Sequence, residues 1–197
     1  DGIVVKSSPI VADLNSDGVK EIYFGSDNEA LHGYNSFGEE IDGFPFQSTD
    51  RVRSSPAVGD VDNDGQMEIV FGNSSGKLYI VNHDGSQQLA YTILGFIEGT
   101  PALVDMDGDQ DLEIVFTTTT TSGGQLYAIH HNGITMSGFP KELGSMWTGP
   151  AVHDIDNDGA YDIVCTTYDK EIYVIDVNGG AVKTGFPFVT SGRFSTS

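Results

Sequence analysis

The stretch Asp60-Val61-Asp62-Asn63-Asp64-Gly65-Gln66-Met67-Glu68-Ile69-Val70-Phe71-Gly72 joins a nine-residue acidic loop to a strongly apolar segment. Oxygen-bearing side chains stand at loop positions one, three, five and nine, and the glycine at six permits the bend that folds the later residues back on the first. The segment after it is β-branched and aromatic, which predicts a buried strand. Reading outward, the same loop occurs three more times. It supplies Asp13, Asn15, Asp17 and Glu21, then Asp105, Asp107, Asp109 and Glu113, and finally Asp154, Asp156, Asp158 and Asp162. The first acids lie 47, 45 and 49 residues apart, and a fixed period of about 20–50 residues marks a solenoid, a propeller or an array.

Each copy has the same plan. A small-residue and proline segment opens it, as in Ser7-Ser8-Pro9, Ser54-Ser55-Pro56, Gly99-Thr100-Pro101 and Thr148-Gly149-Pro150. A short strand leads into the acidic loop, and a second strand leaves it. A third runs through Leu31–Tyr34, Leu78–Val81, Leu126–Ile129 and Ile172–Ile175. Asp84-Gly85, Asn132-Gly133 and Asn178-Gly179 then predict type I′ hairpin turns. A fourth, less regular strand is expected to lead toward Gly43-Phe44-Pro45, Gly138-Phe139-Pro140 and Gly185-Phe186-Pro187, while the second copy keeps only Gly95-Phe96. Four antiparallel strands per repeat without helical periodicity predict an all-β β-propeller, with repeats at about 7–53, 54–98, 99–147 and 148–197. A solenoid or sandwich fits less well, because a solenoid turn carries fewer strands. Two ring sizes are open: a closed four-bladed ring, or a segment of a seven- or eight-bladed one. The phase at which the repeats are cut leans toward the segment, and the absence of an initiator Met toward a processed or excised chain.

The loops place three carboxylates in the first copy and four in each of the others, more than half of the 29 acids. Such crowding predicts bound cations. Calcium suits the pattern, because it accepts six to eight oxygens in a flexible cage; magnesium demands a stricter octahedron, and zinc or copper would want the His or Cys that the loops lack. About four calcium ions are expected, with position seven (Val19, Gln66, Asp111, Ala160) offering its backbone carbonyl. An EF-hand shares the opening spacing but needs a glutamate at position twelve, where this chain has Phe24, Phe71, Phe116 and Cys165. The third loop departs by placing Gln110 where the others have glycine, so a strained or weaker site is expected there.

Phe24-Gly25 and Phe71-Gly72, following loops of the form D-x-[DN]-x-D-G-x-x-E, resemble FG-GAP/VCBS repeats, such as those of integrin α-subunit propellers and many bacterial surface proteins. The resemblance covers essentially the whole chain. It implies a structural calcium between the first and second strands of each blade, on the face opposite the usual ligand-binding face, and a binding role rather than catalysis. Phe116-Thr117 and Cys165-Thr166 replace the Phe-Gly pair in the last two copies.

A formal charge of −20 disfavours nucleic acid and anionic membranes as partners, and no apolar run is long enough to span a bilayer. Cys165 is the single cysteine, so no intrachain disulfide forms. Loops that bind calcium at roughly 10⁻⁴–10⁻³ M belong outside the cell, so an extracellular or cell-surface module is expected, binding a protein or glycan for adhesion, assembly or targeting. A propeller of a polysaccharide-degrading enzyme and an architectural unit of a surface layer are the alternatives. Candidates for the ligand face lie on loops opposite the calcium sites: Arg51, Arg53, Phe96, Trp147 and Tyr168, with Trp147 able to stack on a sugar or anchor a protein. His130-His131 reads as a solvated turn pair, and His153 as a residue that orients a ligand or faces the core.

Overall fold

The computed structural model describes residues 4–192 and contains four separate four-stranded antiparallel sheets, each built from consecutive strands. The first holds β1 (Ile10–Ala12), β2 (Glu21–Ser26), β3 (Ala30–Tyr34) and β4 (Phe46–Gln47). The second holds β5 (Ala57–Gly59), β6 (Glu68–Gly72), β7 (Lys77–Asn82) and β8 (Gln87–Thr92). The third holds β9 (Ala102–Val104), β10 (Glu113–Thr117), β11 (Gly124–Ile129) and β12 (Lys141–Leu143), and the fourth β13 (Ala151–His153), β14 (Asp162–Thr166), β15 (Glu171–Asp176) and β16 (Phe188–Val189). The last few residues of the fourth repeat, 193–197, lie outside the described residues. The meander follows from sequence: short apolar runs, each ended by a glycine or acidic turn, pair with their neighbours in sequence.

Two local expectations need correction. The fourth strand follows the Gly-Phe-Pro segment in repeats one, three and four instead of preceding it, because the residues ahead of it make only single bridges such as Tyr34 to Glu40 and Ile129 to Thr135. The hairpin turns are not type I′. In the second blade the Asn82 amide bonds the Ser86 carbonyl and the Gly85 amide bonds the Asn82 carbonyl, which leaves three residues in the turn. Only Gly85 takes a positive φ, of 79°, so this is a type I turn closed by a glycine bulge, which suits the twist of the strands with one left-handed residue instead of two.

Three apolar cores join the blades in series. Tyr23, Leu31 and Phe44 of the first meet Ile69, Phe71 and Tyr79 of the second. Val70, Leu78 and Ile80 on the other side of the second sheet meet Ile114, Phe116 and Ile129. Val115, Leu126 and Ala128 meet Ile163, Cys165 and Ile175. Among the described residues no such core joins the fourth sheet to the first, and Val11, Ile22 and Phe188 on the end sheets are exposed. The arrangement is that of propeller blades packed one against the next. The Phe-Gly pair explains the blade spacing: a Cβ on Gly25 would lie 2.3 Å from Val52 Cγ1, and one on Gly72 2.1 Å from Ile97 Cγ2. In the third blade Thr117 instead donates its hydroxyl to the Thr148 carbonyl at 2.7 Å, with Phe116 fully buried, so packing is kept without the glycine. Gly72→Ala should therefore cost about 1–3 kcal/mol by overpacking, read as a lower urea midpoint, whereas Thr117→Ser, which keeps the hydroxyl, should cost less.

Candidate metal centres

The acidic loops lie between the first and second strands of each blade, and their carboxylates build them. The position-six amide donates to the position-one carboxylate in all four: Gly18 to Asp13 at 2.9 Å, Gly65 to Asp60 at 3.0 Å, Gln110 to Asp105 at 3.2 Å and Gly159 to Asp154 at 3.0 Å. The position-seven amide donates to position five: Val19 to Asp17 at 2.7 Å, Gln66 to Asp64 at 2.8 Å, Asp111 to Asp109 at 3.0 Å and Ala160 to Asp158 at 2.9 Å. The ninth residue is buried and accepts the position-two amide, as Glu68 does from Val61 at 2.9 Å and Glu113 from Met106 at 2.7 Å. Glu21 accepts the Leu14 amide in the same way. Asp27 belongs to the other end of the blade, where the second strand leaves it.

This wiring demands positive φ at positions four and six, with values of 58° and 88° at Ser16 and Gly18, 56° and 90° at Asn63 and Gly65, and 60° and 89° at Asn157 and Gly159. The third loop meets the same demand with the glycine moved: Gly108 takes 83° at position four and Gln110 takes 80° at position six. The strain expected at Gln110 is therefore real, but the carboxylate wiring survives it.

The donor set fits a hard divalent ion. Ligand oxygens of Asp60, Asp62 and Glu68 lie within 4.8 Å of one another, as do those of Asp105, Asp107 and Asp109. Asp62 Oδ1 is buried without any hydrogen-bond partner, an arrangement that leaves an acceptor stranded unless a cation meets it. Burial first, and then the charges of Asp62, Asp64 and Asp60, push the Glu68 carboxyl up to about 7. Burial raises Glu21 and Glu113 as well. The first loop faces an open cavity of about 320 Å³ bordered by Asn35, Asp42 and His83.

Three further side chains reach loops from outside them, and sequence reading missed the role of each. His130 sits across the ladder from Glu113, one step beyond the Ile114–Ile129 pair, with Nδ1 3.0 Å from Glu113 Oε1 and 4.0 Å from Asp107 Oδ2. His131 Nδ1 lies 2.9 Å from Asp111 Oδ2. The two histidines are thus a half-buried part of the third loop's surroundings and not a solvated turn pair; register with β10 decides this. Lys183 reaches the fourth loop, with Nζ 2.7 Å from Asp156 Oδ2 and 2.9 Å from Asp162 Oδ1. His153 is exposed, contrary to both roles expected for it, because its side of the short strand β13 is open.

At the opposite end of the blades the β2–β3 turn meets the segment entering β5. Arg53 grips Asp27 with two bonds, 2.7 and 3.0 Å long, and lies 3.8 Å from Glu98. The hydrogen bond from Arg53 holds the Asp27 carboxyl below its ordinary range. Arg53, Glu98, Lys6 and Trp147 line one cavity of about 490 Å³ beside the inner strands β5, β9 and β13. Of the expected ligand-face residues, Arg53 and Trp147 come together here. Arg51, Phe96 and Tyr168 are exposed elsewhere.

Two outcomes are expected. Gln110→Gly should relieve the left-handed strain and raise stability by up to about 1 kcal/mol, read by denaturant titration in chelator. Because Glu68 titrates at about 7 when folded against an ordinary 4.5, the folded, chelated protein holds an extra proton between those values. The stability tied to that proton is full below pH 4.5 and is lost as pH rises through about 7. Melting temperature in chelator should fall from pH 5 to pH 8, and Glu68→Gln should flatten the fall.

A search of curated proteins finds no match. Solved structures show the fold. BBS1N, crystallised in complex with ARL6DN, aligns with a TM-score of 0.69 at 12% identity over 98% of this chain and 58% of that one. BamB from Moraxella catarrhalis aligns at 0.59 and 17% identity over 92% and 51%. The V. cholerae biofilm matrix protein Bap1 aligns at 0.50 and 20% identity over 92% and 39%. The chain spans less than two thirds of each of these, and the likeness identifies a β-propeller fold. The FG-GAP-like repeat matches at residues 13–71, 60–116 and 105–165, each match running from one acidic loop through the second strand of the next repeat. Together those matches span most of the sequence, and the chain belongs to the FG-GAP-like repeat family.

Proposed function

We propose that this chain is an extracellular, calcium-stabilised propeller module that binds a protein or glycan partner and performs no chemistry of its own. The observation that carries this reading is the stranded, buried Asp62 Oδ1 beside Asp60 and Glu68 in a loop built the same way in every blade. Calcium would be held by Asp13, Asn15, Asp17 and Glu21, by Asp60, Asp62, Asp64 and Glu68, and by Asp105, Asp107, Asp109 and Glu113, with the fourth loop as the variant copy. Its contribution is to neutralise carboxylates that otherwise repel, which fixes the inner strands and so the opposite face.

Binding falls to that opposite face. Arg53 is fixed by Asp27 through Nε and Nη2, which holds the rest of its guanidinium in a set position, while Trp147 adds a half-buried aromatic surface in the same cavity. A rigid aromatic beside a fixed guanidinium suits a protein anchor or a sugar ring. The propeller fold of BBS1N was crystallised with a protein partner, and Bap1 is a biofilm matrix protein, which accords with partner binding outside or between cells.

Calorimetric titration with calcium, paired with melting in calcium and in chelator, tests the reading. Each loop at a tenfold excess of calcium over its Kd should add about 1.4 kcal/mol, so the melt should rise clearly, and Asp62→Asn with Glu68→Gln should remove one bound ion. An unchanged melt with no heat of binding would overturn the calcium assignment.

A further inference from the structure

We propose that the fourth loop supplies its own cation. The Lys183 ammonium holds the place that calcium takes in the other loops, so the chain binds three divalent ions with structural affinity and a fourth at least tenfold more weakly. This rests on the calcium reading of the loops.

Nζ of Lys183 lies 2.7 Å from Asp156 Oδ2, 2.9 Å from Asp162 Oδ1 and 3.4 Å from Asp158 Oδ2. Those are the third, ninth and fifth positions of the loop. Asp162 is fully buried and its Oδ1 has no hydrogen-bond partner, so the ammonium 2.9 Å away meets it as an ion pair. An ammonium carries three donors and here finds three carboxylates. Calcium would need the same oxygens at about 2.3–2.6 Å, so ion and ammonium exclude each other.

Among the described residues an ammonium enters the acidic loop in this blade alone. The Lys183 amide bonds the Val174 carbonyl as the Ile41 amide bonds Gly33 and the Met136 amide bonds Ala128, which makes the three residues structural equivalents. Ile41 and Met136 pack against the cores that join their blades to a neighbour. The corresponding side of the fourth sheet has no such core among the described residues, and the long side chain of Lys183 turns to the loop instead. In the second blade Gln88 reaches Asp62 Oδ2 at 2.8 Å, but as a neutral amide it leaves the loop's charge for an ion.

The loop itself is adapted to the guest. Its ninth residue is Asp162, one methylene shorter than Glu21, Glu68 and Glu113. The shorter arm stretches its bond from the Ile155 amide to 3.3 Å, against 2.9 and 2.7 Å in the second and third loops. Nζ sits against the other oxygen of the same carboxylate. A tethered cation needs no free ion, so this loop stays neutralised in part when calcium is scarce; one charge against four carboxylates still allows a divalent ion to displace it at high concentration.

The test is equilibrium dialysis with radioactive calcium on the wild type, Lys183→Met, which copies the third blade, and Lys183→Gln. Circular dichroism checks that each is folded. The expected isotherm saturates at three ions in the wild type, with a weak fourth, and at four ions of similar affinity in both variants. Adding Asp154→Asn and Asp158→Asn to Lys183→Met should abolish the gained ion, which assigns it to this loop. In chelator Lys183→Met should melt below the wild type, since the carboxylates lose the ammonium that pairs with them. Isotherms identical in wild type and Lys183→Met overturn the proposal. A wild type that binds no calcium overturns the reading of the other loops instead, and the gain or absence of one ion in the variant still decides the role of Lys183.

Discussion

Glu68 enters its strand with a buried side chain, one oxygen held by the Val61 amide and the carboxylate pressed against Asp60 and Asp62. Burial and three neighbouring charges oppose its ionisation, yet the next residues, Ile69 to Phe71, are fully buried core. The start of the central strand is thus tied to the least comfortable charge in the blade. Anything that neutralises this carboxylate fixes the register between the first and second strands, and with it the position of the apolar face. Asp162, Glu113 and Glu21 stand in the same place in their blades.

From that register the packing between blades follows. The second strand carries Gly25 or Gly72 at its far end, where the absent Cβ admits Val52 or Ile97 from the segment that crosses to the next blade. Thr117 keeps the same approach by bonding the crossing backbone. These crossing segments also carry Arg53 and Trp147, so the cavity at one end of the blades is positioned by strands whose other end is set in the acidic loops. The acidic loops and the Arg53–Trp147 cavity lie at opposite ends of the same strands, so on the proposed reading an ion held in the loops would bear on a surface it does not touch.

The repeats diverge in ways that keep the wiring and change the guest. The third loop exchanges the positions of glycine and side chain while its amides still find the same carboxylates, and it brings an imidazole to Glu113. The fourth shortens its last acid and brings an ammonium. The first opens into a cavity bordered by Asn35, Asp42 and His83. A loop closed by its own side chains tolerates such exchange because each backbone bond is satisfied locally.

Sequence alone determined the period, the four strands per repeat, the loops and their oxygen donors, because these depend on local chemistry: alternating apolar residues, turn glycines and the spacing of acids within nine residues. It also marked Arg53 and Trp147, though not as neighbours. It misplaced the fourth strand and the turn type, which depend on where the chain finds a partner edge rather than on the residues in the turn. His130 and Lys183 were beyond its reach for the same reason. His130 stands 17 residues from Glu113 and Lys183 27 from Asp156, and only cross-strand register and the packing on one side of a sheet decide whether a long polar side chain points to solvent, to the core or into a ring of carboxylates.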